Sequence, residues 1–255
     1  MNKPLITVIT ISRTGSNYFC DLLEKSFTNI HVSYELFNKN ECCIGDFKLY
    51  NKFKDNYDNV PLKELYTKIK DNPLQLLKNI SQHCKEESFL FKLFYDHLSL
   101  EQTKEIITNS SCIIFLKRDF LDRFVSNEKA RNLNEYSCID TTHKKIFFDK
   151  KEYQRERVYY DTLETKIYDI VKECSIPSID IHYETFHSLD THLQRLFLQQ
   201  NVFDKYVSEV GITIRENPSP PRFFKQDLTS CYEEKIENYP EFEEYFKNIR
   251  NNNPV

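Results

Sequence analysis

Glycine is nearly absent from this chain: 255 residues contain three, along with no Trp and one Met. Alanine occurs once, as Ala130. Where glycine is this scarce, each one that remains is expected to meet a backbone need. The eight cysteines have no CxxC pair; Cys42 and Cys43 are adjacent and the rest are scattered. That spacing predicts no zinc ribbon or finger and reads as reduced thiols in a cytoplasmic protein. Long hydrophobic runs are also missing. The stretch after Met1-Asn2-Lys3-Pro4 is too short for a signal peptide and far short of the ~20 apolar residues of a membrane span. No charge of one sign dominates. With 35 basic and 39 acidic residues, the net of -4 leaves no broad basic surface for nucleic acid, so any anion site must be local.

What is abundant is aromatic. Twenty Phe and 16 Tyr supply large buried areas and argue for a packed core despite a modest apolar fraction. Strand-like and helix-like segments alternate. Leu5–Ile11, Ile30–Tyr34, Phe89–Phe94, Cys112–Leu116 and Ile179–Tyr183 read as strands. Asn17–Ser26, Leu100–Thr108 (after Ser99 as N-cap), Phe120–Asn132, Glu152–Cys174, Thr185–Gln199 and Pro240–Arg250 read as helices. Leu62–Cys84 has helical spacing that Pro73 divides in two. Residues 38–60 and 136–151 read as loops, and Asn217–Pro221 as an extended breaker. This order predicts an α/β fold, a three-layer arrangement with a central, mainly parallel sheet flanked by helices, forming one domain over residues 1–255.

Two places in this pattern suit an anion. The first is Ser12-Arg13-Thr14-Gly15-Ser16-Asn17-Tyr18, between the first strand and the first helix. Amides at a helix N-terminus point outward, the helix dipole adds partial positive charge, and Arg13 adds a planar fork. Gly15 lets the backbone curl close to a phosphate, and Thr14, Ser16 and Asn17 can donate from side chains. The GxxxxGK[ST] pattern of a nucleotide kinase is not met: Thr10 stands five positions before Gly15, and no Lys follows it. The second place is Ile113-Ile114-Phe115-Leu116-Lys117-Arg118-Asp119, a buried strand with a cationic end. Ser126 follows eight residues after Arg118. In an open α/β sheet, ligands sit at the carboxyl ends of strands.

Ser-Arg-Thr-Gly-Ser-Asn-Tyr followed by Phe-Cys-Asp-Leu-Leu resembles the 5'-phosphosulfate loop of sulfotransferases that use 3'-phosphoadenosine-5'-phosphosulfate (PAPS). The bacterial trehalose-sulfotransferase type resembles it most. Leu-Lys-Arg-Asp-Phe-Leu-Asp-Arg-Phe-Val-Ser resembles that family's 3'-phosphate motif, with Arg118 and Ser126 in the gripping positions. Weaker likenesses lie in Phe91-Lys92-Leu93, in His182-Tyr183-Glu184 and in Lys225–Tyr239. The resemblance implies a P-loop-like PAPS-binding enzyme that moves a sulfuryl group to an acceptor hydroxyl, on a carbohydrate or glycolipid, releases PAP and needs no metal. It implies that Arg13, Thr14, Gly15, Ser16, Asn17, Tyr18, Arg118, Ser126 and Lys225 hold the nucleotide. Glu35, in Ser33-Tyr34-Glu35-Leu36-Phe37, is the first candidate for general base and His97 the second. Lys92 and Arg13 complete the catalytic set. A P-loop phosphotransferase and a PAP-binding protein without turnover stay open as alternatives. Acceptor identity and oligomeric state are not legible.

Overall fold

The computed structural model describes residues 3–38, 71–134, 136, 140–223, 227, 229 and 231–252. Five parallel strands form the central sheet: β1 (Leu5–Thr10), β2 (Ile30–Glu35), β3 (Ser88–Phe94), β4 (Cys112–Lys117) and β5 (Ser178–His182), in the order β2-β3-β1-β4-β5. Strands β1, β3 and β4 are interior and read as continuous apolar runs because helices cover both of their faces. β5 is an edge strand and is mostly exposed.

The longer helices among the described residues are α1 (Ser16–Ser26), α2 (Pro73–His83), α3 (Leu100–Thr108), α4 (Phe120–Leu133), α5 (Lys150–Cys174), α6 (Tyr183–Ser188), α7 (Thr191–Leu198) and α8 (Tyr239–Asn252). Most starts are specified locally. Ser99 and Gln102 form a reciprocal capping box, and the carboxylates of Asp119, Asp149 and Asp190 accept from the first-turn amides of α4, α5 and α7. Pro73 stands at the first position of α2, where its missing N–H costs nothing.

One sheet face, with Ile6, Val8, Ile114 and Leu116, packs on Phe19, Leu22 and Leu23 of α1 and on Phe186, Leu198 and Phe203. The other face packs on α2 and α3 through Leu5, Phe89 and Phe91, and on α5 through Ile9, Ile113 and Phe115. Each fully buried Leu, Ile or Phe contributes on the order of 1.5–3 kcal/mol. A smaller aromatic cluster joins α4, α5 and α8 around Phe124, Phe148, Tyr153 and Phe242.

The expected α/β class and parallel sheet are present. Two expectations change in detail. Residues 185–199 do not form one helix: the chain breaks at Leu189, Asp190 caps a new start, and a π-helical turn follows at Gln199–Phe203. Tyr183 does not end a strand but begins α6. The loop expected at 38–60 lies outside the described residues apart from Asn38.

The strand order determines where a ligand can enter. From β1 the chain crosses to β2 and β3 on one side and then returns to β4 on the other. The connections leaving β1 and β4 therefore diverge, opening a crevice at the carboxyl edge between them. Both predicted anion anchors leave the sheet there.

Candidate functional site

The turn that leaves β1 is braced from within. Thr10 Oγ1 donates to the Leu116 carbonyl of β4 at 2.7 Å and lies 2.6 Å from Thr14 Oγ1. Thr14 Oγ1 lies 3.0 Å from the Ile11 carbonyl. Thr14 is fully buried, so its hydroxyl shapes the turn and does not face the crevice. Arg13 (φ 69°) and Gly15 (φ 77°) are both left-handed, which curls the chain back on itself.

Gly15 is the N-cap of α1 and contributes no side-chain cap, and the first turn carries no acidic residue. The intrahelical ladder opens with the Phe19 amide on the Gly15 carbonyl, at 3.1 Å. The amides of Ser16, Asn17 and Tyr18 thus precede any i−4 partner, at the positive end of the helix. A Cβ on Gly15 would stand 2.3 Å from Tyr183 Cε2. The space its missing side chain leaves is filled by the Tyr183 ring, which packs on the turn.

Tyr183 in turn places Arg118. The guanidinium lies over the Tyr183 ring at 5.0 Å from its centroid. Its Nη1 donates to the Arg13 carbonyl at 2.8 Å, so the end of β4 touches the turn after β1 directly. Its Nε is buried and has no hydrogen-bond partner among the described residues, and Glu184 Oε1 stands 4.0 Å away. Glu184 accepts instead from the Asp119 amide at 3.0 Å. Arg13 reaches over to α4: its Nε donates to Ser126 Oγ at 3.2 Å and its Nη1 to the Tyr136 carbonyl. Burial, and then the neighbouring charge of Arg118, lower the Arg13 pKa from its ordinary value, with Tyr136 opposing. Two guanidiniums held together at one rim are a local cationic site in a chain of negative net charge.

The other side of the turn holds a buried ion pair. Lys92, fully buried on β3, donates to Glu35 Oε1 at 2.7 Å, to Asn17 Oδ1 at 2.6 Å and to Ser16 Oγ at 3.2 Å. Asn38 Nδ2 donates to the second Glu35 oxygen at 2.6 Å. Burial works to raise the Glu35 pKa. The charge and hydrogen bond of Lys92, then Asn38 and His97, outweigh it and hold the carboxyl below its ordinary value. His97 is buried beside this pair with its ring against Phe94, at 4.6 Å between centroids. Cys20, behind the turn on α1, is no nucleophile here: burial pushes its thiol up to about 12.

Of the residues expected at the site, Arg13, Gly15, Ser16, Asn17, Glu35, Lys92, His97, Arg118 and Ser126 gather around the one turn. The Tyr18 ring turns away. Its hydroxyl donates to Gln194 Oε1 of α7 at 2.7 Å, leaving only its backbone at the turn. Lys225 lies outside the described residues. The expected residue set leaves out Tyr183, which supports both anchors, and Glu184, which ties β5's exit to β4's. Their signal was present in His182-Tyr183-Glu184, but only the fold brings β5 beside β4. The chain matches no family model and no curated protein.

Proposed function

We propose that this protein transfers a sulfuryl group from PAPS to an acceptor hydroxyl. The observation that carries the proposal is the direct contact of the two anchors. Arg118 at the end of β4 bonds the turn after β1, and Arg13 in that turn bonds Ser126, so one ligand can touch all three. A nucleotide with phosphate groups at both ends of an adenosine has the charge layout this rim requires. The Arg118 Nε, buried with no hydrogen-bond partner among the described residues, is suited to a phosphate oxygen.

Arg118 and Ser126 would hold the 3'-phosphate. The Gly15–Tyr18 amides, with Ser16, would hold the phosphosulfate end, with Arg13 between them. PAPS when bound supplies the sulfuryl group. The protein's own part is electrostatic and positional. Cationic donors already in place at the rim stabilise charge that develops on the phosphate as the sulfur–oxygen bond breaks, without reorganising. Glu35 is ionised at neutral pH and stands at the same turn, so it can accept the proton that the acceptor hydroxyl loses as its oxygen bonds to sulfur. Lys92 holds that carboxylate in place. The acceptor class, a carbohydrate or glycolipid hydroxyl, is proposed from the sequence resemblance.

Thermal-shift titration with PAP in EDTA, against ATP with Mg²⁺, tests the ligand. PAP should stabilise the protein without metal, and Arg118→Ala should remove the shift; because that variant also loses the bond to the Arg13 carbonyl, its shift is read against its own unliganded midpoint. Stabilisation by ATP–Mg²⁺ alone would refute PAPS and favour a phosphotransferase. Labelled sulfate transfer from PAPS to a panel of sugars, glycolipids and small alcohols tests turnover. PAP binding with no transfer to any acceptor would leave a binding protein.

A further inference from the structure

A second cluster of chemistry-bearing side chains lies at the opposite end of the sheet. His31 stands near the start of β2, and Glu35 near its other end. Cys84 is the C-cap of α2, and Glu86 follows in the turn to β3. A ring nitrogen of His31, Cys84 Sγ and a carboxylate oxygen of Glu86 all lie within 4.8 Å of one another. The cysteine spacing gave no sign of this, because the imidazole comes from β2, more than fifty residues before Cys84.

We propose that His31, Cys84 and Glu86 form a binding site for a borderline divalent cation of the zinc class. Tetrahedral zinc with bonds of about 2.0–2.3 Å needs ligand atoms roughly 3.3–3.8 Å apart. His31 Nδ1 and Glu86 Oε2 are already 3.7 Å apart. The other two separations are at most 4.8 Å, so closing the site on an ion needs a contraction of about 1 Å or less. One nitrogen, one sulfur and one oxygen donor select against magnesium and calcium, which take oxygen. Two ligands are fixed before any ion arrives. The His31 ring is stacked on Phe89 at 5.5 Å and 7°. The turn holding the other two is pinned by Lys3, whose ammonium donates to the Cys84 and Glu86 carbonyls at 2.8 and 2.7 Å.

The Cys84 thiol lies 3.3 Å from the Ile80 carbonyl, and binding releases its proton to solvent. Thiolate and carboxylate then balance the two positive charges, and water completes the coordination. Among the described residues β2 pairs only with β3, so an ion here would tie the edge strand to the end of α2. It would steady the strand that carries Glu35 without taking part in the chemistry there.

The test uses the full chain, stripped with chelator and titrated with Co²⁺ and then Zn²⁺. One equivalent of Co²⁺ should give a thiolate-to-cobalt charge-transfer band with tetrahedral d–d bands, and Zn²⁺ should displace it. Cys84→Ser should abolish the charge-transfer band. Glu86→Gln is at the surface and should fold normally, yet weaken Co²⁺ by roughly tenfold or more. Absence of stoichiometric binding overturns the site. So does a charge-transfer band that survives Cys84→Ser, which would place the thiolate elsewhere, or unchanged affinity in Glu86→Gln. None of these readouts depends on PAPS.

Discussion

Replacing Gly15 with Ala tests the central geometry most directly. The residue has φ +77°, and its added methyl would stand 2.3 Å from Cε2 and 2.5 Å from Cδ2 of Tyr183. The left-handed dihedral costs a non-glycine residue about 1–2 kcal/mol. The overlap meets the rigid body of a ring, not the end of a flexible chain, so it adds about 1–3 kcal/mol. Gly15→Ala should therefore lose about 2–5 kcal/mol, which at about 2–4 °C per kcal/mol for a chain of this size is a fall of about 4–20 °C. Urea unfolding with linear extrapolation gives the free energy. A double-mutant cycle with Tyr183→Ala separates the two contributions, because only the overlap disappears with the ring. Alanine at position 15 should cost about 1–3 kcal/mol less in the Tyr183→Ala background. Additivity within about 0.5 kcal/mol, or wild-type stability of Gly15→Ala, would refute the packing of Tyr183 on the turn.

Three further expectations follow from the buried charges. The Glu35 pKa is lower in the folded protein than its ordinary value of 4.5, so its pair with Lys92 contributes full stability above that value. The contribution fades as pH falls through the lower folded value, and acid titration of Glu35→Gln should lack this component; an identical acid profile would remove it. At neutral pH Glu35→Gln should also lower turnover with little change in PAPS affinity, and unchanged turnover would pass the base role to His97. Arg123 is fully buried against Phe120 and Tyr160, pairs with Glu156 and leaves Nε and Nη1 without hydrogen-bond partners among the described residues. Removing its partner in Glu156→Ala should cost about 3–5 kcal/mol, while replacing both partners by apolar residues, Arg123→Met with Glu156→Leu, should be near neutral or stabilising; equal losses in chemical denaturation would contradict this. Arg222 clamps the proline-rich segment to α1, its Nε donating to the buried Asp21 at 2.7 Å. Arg222→Ala should cost about 1–3 kcal/mol at low salt, and a stability unchanged within about 0.5 kcal/mol would show the clamp to be idle.

The strands were legible because the interior of a parallel sheet is covered on both faces, so Leu5–Thr10 and Cys112–Lys117 read as unbroken apolar runs. Helix starts were legible at Ser99, where a capping side chain announces them. The break at Leu189 was missed because its cap, Asp190, interrupts a segment whose apolar residues keep helical spacing on both sides. At the site, Arg13 and Arg118 could be picked out because each stands just after an apolar strand. The directions of neighbouring side chains could not be read. Thr14 turns inward onto Thr10, whose own hydroxyl braces β1 against the Leu116 carbonyl of β4, and Tyr18 reaches to Gln194 of α7; both of those last partners lie more than a hundred residues along the chain.

Sequence by itself determined the local events: which segments are apolar enough to be buried, where polar turns interrupt them, and which turns carry cations. Those follow from side-chain chemistry and spacing along the chain, which need no partner. Tertiary structure alone decided that β4 lies beside β1, that Tyr183 occupies the space Gly15 leaves open, that Lys92 and Glu35 form a pair, and that His31 meets Cys84. Each of these is a contact between elements brought together by the order of strands in the sheet. That order depends on which helices can cover which face, a property of the whole packed core that no local window contains.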